Sequence, residues 1–288
     1  MQLYVIRIRL GDGPYISVMY CFLQSKFQIV YREMWRIVQD ELQARNLQVN
    51  VAYLLVDFEQ AVINSFAAIF GQNVELNGCF FHLCQSTWRK IQSLGLMQIY
   101  KDNINNFQEF AGMLDAIAFL PRNDVSLGIT YLRNNMHPDP RAVDLVDYFD
   151  NTYVNGPVNN QRLRNANRPV QRNPPMFPPN LWNVHDATIQ GDPRTNNVCE
   201  SWNNSFKHIV GHNHPSMWAC LQGLQKNYAD DDKLVRQDAI GQRPRVRVKP
   251  ALVAMQERLQ NLCNDYNLGL KNIADFLRGV AHNIRFTV

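Results

Sequence analysis

Two carboxylates stand out by position. Asp57 ends VNVAYLLVD, residues 49–57, an almost wholly apolar run that predicts a buried strand. In open α/β sheets ligands bind outside the carboxyl ends of strands, so Asp57 reads either as a ligand-facing acid or as a cap for a helix from Glu59 onward. Glu200 lies within RTNNVCESWNNSFK, residues 194–207. There Val198, Trp202, Phe206 and Ile209 recur at helical spacing on one face, with Glu200, Asn196, Asn203, Asn204 and Lys207 on the other. Thr195 or Asn196 is placed to cap this helix. Periodicity alone makes Glu200 a solvated residue. Carboxylates on separate elements are also the ligands that hard divalent cations take.

A second group is softer. Cys79 and His82 stand in a Cys-x-x-His spacing with Cys84 close by, a pattern that metal sites use. A closed zinc site needs four ligands, and His212 and His214 complete one only if the fold brings them near. The pattern therefore reads first as a buried thiol and a hydrogen-bonded imidazole at a strand end. Trp202, Phe206 and Trp218 read as core.

Two basic stretches could meet phosphates. The Asn-, Pro- and Arg-rich segment 155–180 carries Arg162, Arg164, Arg168 and Arg172 with no acid, and predicts an exposed loop. Arg243, Arg245, Arg247 and Lys249 alternate with Pro and Val, as a solvated edge or as cations tracking a nucleic-acid backbone.

The elements that must position these residues can be read from period. Ile6, Ile8 and Leu10 alternate with Arg7 and Arg9, Gly11-Asp12-Gly13-Pro14 is a turn, and 15–23 is β-rich, which together predict a hairpin. Phe27, Tyr31, Met34, Trp35, Val38 and Leu42 predict a long helix. The strand of residues 49–56, a helix through Phe66, a strand over 74–81 and a helix over 85–94 follow, a β-β-α-β-α-β-α order with a mixed sheet. Residues 97–153 show only helical patterns, and helices are expected around 218–228, 252–266 and 273–284. With 288 residues, 46% hydrophobic, the chain can bury a large core. The net charge of +4 permits a nucleic-acid partner without requiring one. Six scattered cysteines and no leader at the N-terminus predict reduced thiols in an intracellular protein, and no apolar run is long enough to span a membrane.

VDFEQAV at 56–62, GCFFH at 78–82, LWNVHD at 181–186 and RTNNVCESWNNSFK at 194–207, in that order, resemble the transposases of Mutator-like elements. FLQSKFQIVY at 22–31 and FLRGVAHNI at 276–284 extend the likeness over most of the chain. The resemblance implies an RNase H-like catalytic core with an Asp-Asp-Glu triad that holds Mg²⁺ or Mn²⁺ for phosphoryl transfer on DNA. It implies that Asp57 is the second acid, Glu200 the third, and Cys79 and His82 the family's Cys-x-x-His pair. Residues 1–95 are then the first part of the core, 96–190 a helical insertion with the basic loop, and 191–288 the Glu-bearing helix and C-terminal helices. The family's first strand and its acid are absent from this sequence; Asp12 is a turn residue, since the hairpin turn of such a sheet lies away from the crevice. The expectation is a catalytically incomplete, nuclear, DNA-binding domain able to self-associate, with no small-molecule substrate. The alternative is a domesticated remnant that binds DNA or protein without cutting.

Overall fold

The computed structural model describes residues 2–47, 51, 53–71, 74–159, 171–211, 215–242 and 248–285. Strands β1 (Gln2–Arg9) and β2 (Tyr15–Leu23) precede α1 (Gln28–Ala44), and β3 (Tyr53–Val56), α2 (Gln60–Phe70), β4 (Glu75–Gly78) and α3 (Phe80–Ser93) follow. Helical structure then continues through α4 (Met97–Lys101), α5 (Phe107–Ala116), α6 (Val125–Asn134) and α7 (Arg141–Phe149). The short α8 (Pro179–Trp182) and α9 (His185–Gln190) lead to α10 (Asn197–Val210), α11 (Met217–Ala239), α12 (Pro250–Asn267) and α13 (Ile273–Arg285).

The protein is mixed α/β and mostly helical, but one mixed sheet is not what the described strands form. β1 pairs with β2, antiparallel, and β3 pairs with β4, giving two separate two-stranded sheets. Alternation marks a strand and the face it buries; it says nothing about which edges meet. A second correction concerns residues 80 and 81, expected to end the strand over 74–81. They open α3, whose buried Phe80, Leu83, Thr87 and Ile91 follow helical spacing. Trp218, expected in the core, is exposed.

The chain divides into two compact units, each assembled from segments distant in sequence. One comprises residues 1–52, 59–75 and 196–249; the other comprises 53–58, 76–195 and 250–288. In the first, the β1–β2 hairpin is covered on both faces. Tyr4 meets Tyr31 and Trp35 edge-on at 5.7 and 6.0 Å, and Trp35 meets Phe66 of α2 at 5.0 Å. Leu3, Val5 and Tyr20 pack with Trp202, Phe206, Cys220 and Leu224 of α10 and α11. Trp202 and Phe206 stack at 4.9 Å, one turn apart.

A polar seam backs that packing. Asn227 Oδ1 accepts from Tyr20 Oη at 2.7 Å, Trp202 Nε1 at 2.9 Å and Ser17 Oγ at 3.3 Å. The buried Asp231 accepts from the Ser17 amide at 2.9 Å. These bonds satisfy groups that burial would otherwise strand, and they fix α11 in register on β2.

In the second unit α5 is apolar nearly all round, with Phe107 and every residue from Phe110 to Ala116 buried, as a central helix must be. α13 packs on it through Phe276, Leu277, Val280 and Ala281. Trp182 is fully enclosed, its Nε1–H donating to the carbonyls of Phe177 and Tyr153 at 2.9 and 3.0 Å. Residues Asp150–Val154 form a single π-helical turn. Asp150, 1% exposed, there accepts from Arg133 at 2.9 Å and Asn155 at 2.6 Å and lies 3.1 Å from Arg172. No described helix is long and apolar enough to cross a membrane. Among the described residues the six cysteines form no disulfide.

Candidate functional site

Asp57 follows the last residue of β3, and its side chain is about half exposed at 52%. It is not the cap of α2. That position belongs to Glu59, whose carboxylate accepts from Tyr31 Oη at 2.9 Å. The backbone of Cys79, in extended conformation, takes the position before α3, and its N–H donates to Val56 O at 2.8 Å. This bond sets the start of α3 beside the end of β3. One turn in, His82 Nδ1 lies 3.1 Å from Asp57 Oδ1. Two short motifs 25 positions apart (82 − 57) thus meet, while Cys79 itself is fully buried.

Asp57 is steadied from behind. The Phe58 ring lies edge-on to Phe177 at 5.0 Å and to Tyr153 at 5.8 Å. β4 approaches it through Gly78, where an added Cβ would sit 2.8 Å from the Phe58 ring and 3.3 Å from Leu181 O. Gly78→Ala therefore forces the ring to move, and the cost expected for such overpacking is about 1–3 kcal/mol. Urea unfolding read by Tyr and Trp fluorescence checks this; an unchanged midpoint would show that the pocket absorbs the methyl.

Arg194 pins the segment that leads to α10. Its carbonyl accepts from the Phe80 amide at 2.9 Å, its Nη1 donates to Thr188 Oγ1 at 3.0 Å, and its guanidinium lies over the Phe119 ring at 5.3 Å. Burial lowers its pKa to about 10, partly offset by the neighbouring Cys263, whose thiol burial pushes up to about 12.

Glu200 lies in the first turn of α10, half-buried, where an acid also complements the helix dipole. Asn196 holds the cap position without a side-chain capping bond. Arg7 fastens this turn to the hairpin, donating to Val198 O at 2.8 Å and to Tyr15 O at 2.5 Å. Burial lowers the Arg7 pKa, and Asp231 acts against it. Sequence reading missed Arg7, Arg194, Phe58 and Asn227 as positioning residues. Their only local signal was a polar or aromatic type on a patterned element.

The structure brings Asp57, Cys79 and His82 together in one unit; Glu200 belongs to the other. Among the described residues no group of three or more His, Cys, Asp or Glu is gathered to hold a metal ion. Arg172 is engaged internally, donating to Gly156 O at 2.8 Å beside Asp150. Lys249 is exposed just before α12. Arg162, Arg164, Arg168, Arg243, Arg245, Arg247, His212 and His214 lie outside the described residues. Asp12 lies in the turn between β1 and β2, its carbonyl accepting from Arg9 at 3.2 Å. No family model, curated protein or solved structure matches the chain.

Proposed function

We propose that the chain is a DNA-processing domain of the Mutator-like transposase type, an RNase H-like core that acts on DNA phosphodiesters. The observation that carries this reading is the meeting of the two motifs: Asp57 at the end of β3 and His82 in the first turn of α3, joined through the Cys79–Val56 backbone bond. Nothing local to either motif demands that contact. A half-exposed carboxylate at a strand end is suited by donor type to Mg²⁺ or Mn²⁺, so Asp57 is the residue of its unit that would hold the ion, and the resemblance assigns Glu200 the same donor role. When bound, such ions offset charge on the attacking and leaving oxygens of the phosphodiester.

The chain's own residues then have definite tasks. His82 fixes the orientation of the Asp57 carboxylate, and Phe58 fixes its backbone. Arg194 anchors the approach to α10. Arg7 holds the Glu200 turn to the hairpin. Phosphate binding falls to Arg162, Arg164 and Arg168 and to the cations of segment 243–249; Arg172 is taken up by Asp150. The reading assigns Asp57 and Glu200 as acids of the site and places the activity, DNA binding and phosphodiester chemistry, in the nucleus.

Mn²⁺ titration by calorimetry, with Asp57→Asn and Glu200→Gln beside the parent chain, tests the site. Weak binding lost in both variants supports it; binding indifferent to both sinks it. DNA affinity should fall with salt at a slope of roughly −0.9 per neutralised phosphate. DNA binding with no Mn²⁺ response would favour the remnant module that binds without chemistry. Nicking by this chain that Glu200→Gln abolishes would show that two acids suffice.

A further inference from the structure

β2, YISVMYCFL, is nine residues long and carries no charge and no proline. Among the described residues it pairs on one edge only, with β1. Natural edge strands are usually blunted by charges, prolines or bulges, and an apolar stretch of edge clear of them is a template for another strand. The register shifts between Ile6 and Arg7, which leaves Val18 as the extra residue and Met19–Leu23 as an unbroken run. Beside this run lies a groove of about 420 Å³ between β2 and α1, lined by Met19, Cys21, Leu23, Ile29, Met34 and Ile37 among others. Its charged lining residue is Glu33, held by Arg36 at 2.6 Å, so the groove offers nothing to a phosphate or a charged peptide. Phe27 and Ile29 stand beside it about 70% exposed.

We infer that this edge is a self-association surface, occupied by β2 of a second copy. The occupant must be an extended, uncharged segment of at least five residues with apolar side chains at alternate positions, and β2 is that segment. Self-pairing also brings a second groove onto the same face, so one contact covers both grooves and both α1 flanks. A stable interface needs about 1,200–2,000 Å² in total. The exposed Phe27, Ile29 and Ile37 are apolar surface that the contact would add to the five paired residues. The unbroken run is centred on Cys21. Antiparallel two-fold pairing therefore sets Cys21 opposite its own copy, Met19 opposite Leu23, and Tyr20 opposite Phe22, in a four-stranded sheet ordered β1-β2-β2-β1.

Light scattering of the whole chain at tens of micromolar, with copper–phenanthroline oxidation as a second readout, tests this. The expected result is a dimer that oxidation traps covalently and that Cys21→Ser releases. Phe22→Lys, at an exposed edge position, and Ile29→Glu, on the exposed flank of α1, should each raise the dissociation constant roughly tenfold or more, with far-ultraviolet circular dichroism unchanged. A monomer at these concentrations overturns the inference, and so does a dimer indifferent to both variants. A covalent dimer that survives Cys21→Ser overturns the pairing. A monomer that takes up an unrelated uncharged β-peptide overturns the second copy as occupant.

Discussion

Exchange of Asp150 for alanine should remove about 3–5 kcal/mol from the unit that contains it. The carboxylate is buried between Arg133 and Arg172 and also accepts from Asn155. Removing it leaves two guanidinium groups facing each other with no anion between them. Part of Arg133's charge is still met by Asp147 at 2.7 Å, which keeps the loss near the lower end of that range. Asp150→Asn retains hydrogen-bonding atoms and loses the charge, so it should fall between the parent chain and the alanine variant. In the double variant Asp150→Ala/Arg133→Met, the loss should be smaller than the sum of the single losses, because the second change removes a cation that the first left uncompensated. Additive losses would show that the network is not energetically coupled.

Trp202→Ala should cost about 3–5 kcal/mol in the other unit. The indole is buried, stacks on Phe206, lies 6.3 Å from the Tyr20 ring and donates to Asn227. Trp202→Phe keeps most of the stacking and loses the indole bond, so its cost should be about 0.5–1.5 kcal/mol. Each variant belongs to one unit, and hydrogen exchange resolved by peptide separates them. The Trp202 variant should speed exchange in β1, β2, α10 and α11. The Asp150 variant should do so around α6 and α7. A single uniform change in both would mean that the chain opens as one cooperative whole.

Much of the architecture was legible locally. The Ile-Arg alternation of β1, the turn at Gly11 and the helical period of α1 depend on neighbours in sequence, and they emerged at nearly their observed bounds. Residues 80 and 81 were misread because a short apolar run fits a strand or a buried helix equally. The β1–β2 pairing was legible from its short turn, but the separation of β3 and β4 into a second sheet was not, since that depends on edges rather than on any one segment. Asp57 at a strand end and the Cys79–His82 spacing could be picked out by type. The 3.1 Å contact between Asp57 and His82 could not, and neither could the tasks of Arg7 and Arg194. A lone arginine on an amphipathic element looks solvated until the carbonyls it meets are known.

The wrapping of the hairpin has a consequence for biosynthesis. Tyr20 and its partner Trp202 are 182 positions apart (202 − 20), and Ser17 and Asp231 are 214 apart (231 − 17). At roughly 5–20 residues per second, a ribosome needs about 9–36 s to bring Trp202 into being after Tyr20. Throughout that interval Leu3, Val5 and Tyr20 await their cover, next to an uncharged strand that is itself a ready template. The yield of folded protein should therefore respond to translation speed between codons 24 and 210.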